Sequence, residues 1–130
     1  MTISIVPVHP LSVADIKVLR SLSACSISTI KRAAELQTSI RDFEIFGSHW
    51  EEERPTLAKL YRHYSSDVRT PYTVRESSKS GDDEYLSPED LKTRMEFWRS
   101  IELKTELHMD LRLGYIHDPD EFQPHDEDWF

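Results

Sequence analysis

Six histidines, one cysteine and a surplus of acids are the side chains of this 130-residue sequence with chemistry to offer. Two pairs, His117-Asp118 and His125-Asp126, have the composition of metal ligands or of an acid–base couple. Metal ligands must converge on one point, and both pairs lie on a proline-containing segment with none of the spacings of a zinc site. They read as part of a solvated tail. His108 falls on a helical pattern with Asp110 and Arg112 beside it, which packing or surface exposure explains without catalysis. His49 reads as a first-turn residue. Serines crowd the stretch SLSACSIS, yet no G-x-S-x-G elbow is present and no base is placed by sequence. Cys25 is alone, so no intramolecular disulfide can form, which suits a reducing compartment. Its small apolar neighbours mark it as a structural thiol rather than a nucleophile. No Walker or dinucleotide-binding glycine pattern occurs. These residues predict no catalytic site, no bound metal and no cofactor; an enzyme using the histidines stays as the last alternative.

The acids offer a different chemistry, that of charge recognition. The formal net charge is −8. From His117 onward the chain reads HDPDEFQPHDEDWF, with six acids, no Lys or Arg, two prolines and three aromatics. Trp and Phe near a chain end are costly unless covered, either by the domain's own sheet, as a closing strap, or by another protein. Self-docking is the first reading and a partner surface the second. Aromatic anchors ringed by charge have the composition of interface hot spots. The candidate partner-binding residues are therefore Asp82, Asp83, Glu84, Asp118, Asp120, Glu121, Phe122, Asp126, Glu127, Asp128 and Trp129.

An acidic chain repels phosphate backbones and anionic lipid, so nucleic acid and membrane are poor partners and a basic protein is the favoured one. No leader segment and no apolar run near the roughly 20 residues of a membrane helix is present, which predicts a cytoplasmic protein. A length of 130 residues fits one domain. With only three glycines, a loop-rich barrel is disfavoured.

The elements that must position these residues follow from periodicity. Residues 3–8 alternate and form a first strand, ended by Pro7 and Pro10. Ser12 caps a helix carrying Val13, Ile16, Leu19 and Leu22. After a turn at residues 23–25, Ser26 caps a second helix with Ile27, Ile30, Ala33 and Ala34. Residues 43–46 form a second strand, ended by Gly47. Ser48 and Glu51 then make a capping box for a third helix with Trp50, Leu57, Leu60, Tyr61 and Tyr64, whose regular part starts near Pro55. Residues 72–75 form a third strand. Residues 77–86 read as a polar loop. Ser87, Pro88, Glu89 and Asp90 open a long helix over 87–113, capped by Gly114, and 114–130 is the acidic aromatic tail. The helix has one stripe of Leu91, Met95, Trp98, Ile101 and Thr105 and a second of Leu103, Leu107 and Leu111. Ile16, Leu19, Ile30, Leu57, Leu60 and Trp98 are the expected core.

The stretch from Leu19 to Lys31, LRSLSACSISTIK, resembles the helix–turn–helix of the C-terminal domain of the ribosomal stalk protein L7/L12. That family's pattern is VR-x-x-TGLGL-x-x-x-K, and Ala24 and Ser26 stand here where it has glycines. The resemblance covers about residues 1–76 and implies an α+β fold, a β-α-α-β-α-β half with a three-stranded antiparallel sheet and helices on one face. It also implies a factor-binding face at Arg20 and Lys31. In overall character, small, acidic and without a catalytic motif, the chain resembles immunity proteins of bacterial contact-dependent inhibition systems. The expected function is non-enzymatic: binding and neutralising a basic toxin domain encoded nearby. The alternative is a translation-associated factor-binding protein.

Overall fold

The computed structural model describes residues 1–66 and 69–126. The order of elements is β1 (Thr2–Pro7), α1 (Val13–Ser23), α2 (Ile27–Leu36), β2 (Arg41–Glu44), α3 (Trp50–Tyr64), β3 (Tyr72–Ser77), β4 (Asp83–Leu86) and α4 (Pro88–Arg112), then a 3₁₀ turn at Pro119–Glu121. The fold is α+β. The sheet has four strands in the order β2-β1-β3-β4, every neighbouring pair antiparallel.

The fourth strand corrects the expected three-stranded sheet and the expected loop over 77–86. Gly81, at φ +87°, turns the chain back on itself, and Ser78 N–H donates to the Asp82 carbonyl at 3.0 Å. Asp83 then pairs with Ser77 and Leu86 with Val74. Only Leu86 of this strand is buried, so an edge strand spelled DEYL carries no alternating apolar signal.

The second strand also lies two residues earlier than expected, at 41–44 rather than 43–46. Phe46 adopts φ +59°, and Gly47 N–H donates to the Glu44 carbonyl at 3.1 Å, so the chain leaves the ladder after Glu44. That turn displaces the expected capping box as well. His49, not Ser48, is the N-cap of α3, and it makes no side-chain cap bond. Pro55 lies inside α3 rather than at its start. It sits in the second turn, past the N–H groups that a helix start leaves unpaired, so the Glu51 carbonyl loses its intrahelical donor.

Three other caps hold as read. The hydroxyls of Ser12, Ser26 and Ser87 accept from the backbone N–H of Asp15, Thr29 and Asp90. At the far end of α4, Gly114 takes φ +77°; its N–H reaches the Leu111 carbonyl at 3.3 Å, and Tyr115 N–H reaches Asp110 at 3.0 Å. That double bond pattern closes the helix as glycine C-caps do.

One hydrophobic cluster draws on every helix and strand. Ile3, Ile5, Phe43 and Val74 enter it from the sheet, and Ile30, Leu57, Leu60, Leu91 and Met95 from the helices, all fully buried. The six expected core residues are buried. Helices α3 and α4 run antiparallel. Trp50, at the start of α3, donates its indole N–H to Glu102 in the middle of α4, while the Tyr64 hydroxyl, at its end, donates to the Leu86 carbonyl just before α4.

Candidate functional site

Helix α4 outruns its support. Because α3 begins at the level of Glu102, the ten residues from there to Arg112 span roughly 15 Å beyond it. The core stripe Leu91, Met95 and Trp98 continues at helical spacing into Glu102 and Glu106, and the neighbouring row holds Arg99 and Asp110. Arg99 and Asp110 are both buried, at 8% and 7% exposure. Burying charge at such positions is unfavourable unless each charge is paired.

The tail supplies the pairing. After Gly114 the chain folds back, and Asp126 places one carboxylate oxygen 2.7 Å from Arg99 Nη1 and the other 2.6 Å from Arg54 Nη1. Arg99 Nη2 also donates to the main-chain carbonyl of Asp126 at 3.0 Å. Glu102 ties the same two guanidiniums together, 3.0 Å from Arg54 Nε and 3.2 Å from Arg99 Nη1. One residue earlier in the tail, His125 Nε2 lies 2.8 Å from Asp110 Oδ2, and its Nδ1 lies 3.8 Å from Glu106. Residues 115–126 are thus a strap across the overhanging end of α4, pinned at two adjacent points. The strap lies on α4 and not on the sheet it was expected to close, and Trp129 and Phe130 lie outside the described residues.

The charges answer to this geometry. Burial by itself raises the Asp126 carboxyl, but the Arg99 hydrogen bond and the charges of Arg54 and Arg99 together hold it below the usual carboxylate range. His125 is raised, first by its hydrogen bond to Asp110 and then, against some burial, by the charges of Asp110, Glu106 and Asp126. Burial and the Asp126 charge raise Glu106, with His125 and Arg99 opposing. The second carboxylate oxygen of Glu106 is buried and accepts no hydrogen bond among the described residues.

The other candidate residues fall into two separate groups. Asp82, Asp83 and Glu84 sit exposed on the β3–β4 hairpin. Asp82 accepts from the Ser80 hydroxyl at 3.3 Å, and Glu84 stands 3.6 Å from Arg94, which is itself paired to Glu76 at 2.9 Å. Asp118, Asp120 and Glu121 lie exposed on the strap, where the Asp118 carboxylate accepts from Asp120 N–H at 3.0 Å and caps the 3₁₀ turn. Phe122 is half-buried, its ring 6.2 Å from that of His125. No hydrogen bond or ion pair joins the hairpin acids to the strap acids among the described residues. Glu127, Asp128 and Trp129 lie outside the described residues. Arg54, Arg99, Glu102 and Glu106 are the site residues that sequence reading passes over. Their signal is an apolar helix stripe that turns acidic partway along.

Elsewhere, Ala24 holds φ +57°, and Lys17, Arg20, Ser21 and Ala24 line a shallow open depression. Among the described residues no helix is long and apolar enough to cross a membrane, and no group of three or more His, Cys, Asp or Glu is placed to hold a metal ion. No protein-family model, curated protein or solved structure matches the chain.

Proposed function

We propose that the chain is a non-enzymatic, cytoplasmic binding protein, an immunity protein that neutralises a cognate bacterial toxin by direct contact. The supporting observation is how charge divides between inside and outside. Arg54, Arg94 and Arg99 are engaged in internal ion pairs, while Asp82, Asp83, Asp118, Asp120 and Glu121 stay exposed. Between residues 77 and 86 only Lys79 is basic, and residues 115–126 contain no Lys or Arg, so the hairpin and the strap are each negative surfaces. Such a surface suits a basic partner and speeds its encounter, since opposite fields steer association. The test is growth rescue. Cells expressing the toxin domain encoded immediately upstream should survive when this chain is co-expressed, and should die when Asp82, Asp83, Asp118, Asp120 and Glu121 are changed together to Asn or Gln. Equal survival with both forms rejects the site, and death with both rejects the function.

A second reading rests on the turn between α1 and α2. Ala24, which stands where the stalk-protein pattern has a glycine, takes the left-handed conformation that glycine favours, and Arg20 and Lys31 are exposed. On this reading the chain binds a translation factor through that face. The double change Arg20→Ala and Lys31→Ala would then abolish binding to ribosomes or factors while leaving toxin neutralisation untouched.

A further inference from the structure

We propose that the strap is a pH-gated latch: His125 and Asp126 hold it against α4 while His125 carries its proton, and loss of that proton lets it loosen. The two pins differ in kind. The Asp126 pin sits between guanidiniums that stay charged at every accessible pH, and its carboxyl stays ionised to below the usual carboxylate range. It therefore does not change near neutrality. The His125 pin does.

Among the described residues, the charged groups facing the imidazole come from three elements. From α4 come Asp110 at 2.8 Å and Glu106 at 3.8 Å, with Arg99 and Glu102 one layer behind; from α3 comes Arg54; from the strap itself comes Asp126. Four carboxylates thus meet two guanidiniums and one imidazolium. Removing the imidazole proton leaves Glu106, whose buried oxygen accepts no bond among the described residues, beside Asp110 and Asp126 with less positive charge to balance them. A neutral imidazole still donates one hydrogen bond to Asp110, so the pin weakens rather than vanishes.

The sign follows from the direction of the shifts. His125 and Glu106 are both raised in the closed state. The His125 contribution is fully present below the ordinary histidine value, near 6.5, and is lost as pH rises through the raised one; that of Glu106 has the same sign but is full only below the ordinary carboxylate value, 4.5. The latch closes in mild acid and loosens on the alkaline side of neutrality. The consequence for binding rests on the reading above: a closed strap presents Asp118, Asp120 and Glu121 in fixed positions, and an open one does not.

The test is amide hydrogen exchange on the full-length chain at about pH 5.5 and about pH 8.5, either side of an ordinary histidine titration, corrected for intrinsic rates. Exchange across residues 115–126 should speed up several-fold at the higher pH while the sheet stays protected. In His125→Gln the strap should exchange rapidly at both. A wild-type strap equally protected at both values overturns the latch, as does a His125→Gln strap that stays protected or keeps the wild-type response. Association with the upstream toxin domain at the two values is a separate readout. A strap that responds while association does not would leave the latch standing and remove the strap acids from the binding surface.

Discussion

Arg99 donates twice to Asp126, to its carboxylate at 2.7 Å and to its main-chain carbonyl at 3.0 Å. A residue near the end of an acidic tail is thereby fixed to the middle of the longest helix. The contact explains why an arginine at 8% exposure is tolerated at that position, and it makes the tail part of the fold.

Arg99→Met should therefore undo the strap. It leaves Glu102 and Asp126 to Arg54, which still bridges them; breaking a fully buried pair costs about 3–5 kcal/mol, and the partial exposure of Asp126 brings the expected loss to about 2–3 kcal/mol. By thermal melting the midpoint should fall by roughly 6–12 °C for a domain of this size, while Arg112→Met, at an exposed position of the same helix, should stay within about 0.5 kcal/mol. Equal effects from the two would mean the Arg99 pairing contributes nothing.

Ala24→Gly should stabilise the protein. Ala24 sits at φ +57°, where a Cβ is disfavoured and glycine is not. The greater freedom of glycine in the unfolded chain offsets part of the gain, so a net increase of about 0.5–1 kcal/mol in unfolding free energy is expected, read as a higher urea midpoint. A loss of stability would show that the Cβ of Ala24 contributes packing that outweighs the strain.

Leu19→Ala and Leu60→Ala should each cost on the order of 2–5 kcal/mol, because both side chains are fully buried in the shared cluster and neither site can collapse onto solvent. Calorimetry that moved the midpoint by less than a couple of degrees would contradict the helix faces assigned here.

The pH profile should have two separable limbs. Asp126 is lowered, so its contribution is present above the usual carboxylate value and is lost as pH falls through the lowered one; Asp126→Asn should remove that acid limb. His125 is raised, so its contribution fades as pH climbs past neutrality, and His125→Gln should remove that alkaline limb. Chemical denaturation across the range, repeated for both variants, checks each assignment.

Legibility in the sequence tracks how local the determining forces are. Ser12, Ser26 and Ser87 can be read as caps because a cap is settled within four residues. Ile16, Leu19 and Ile30 can be read as core because helical period is a local pattern. Ser48 misleads because Phe46 and Gly47 turn the chain first, at φ +59° and through a bond to Glu44. Strand β4 hides because its partner, not its own composition, makes it a strand. The charged network is the least legible. Arg54, Arg99 and His125 are far apart in sequence, and only the fold shows that the acidic turn of the α4 stripe is what the strap covers.

The most direct measurement is the association rate of this chain with the basic toxin domain encoded upstream, taken at two salt concentrations. Exposed acids act over roughly one Debye length, about 8 Å at physiological salt, so they should set the on-rate more than the lifetime. The account predicts that wild-type association slows steeply as salt rises. Neutralising Asp82, Asp83, Asp118, Asp120 and Glu121 should slow it at low salt and flatten that dependence, with melting unchanged. A neutralised chain that associates as fast as wild type, with the same salt dependence, would contradict it.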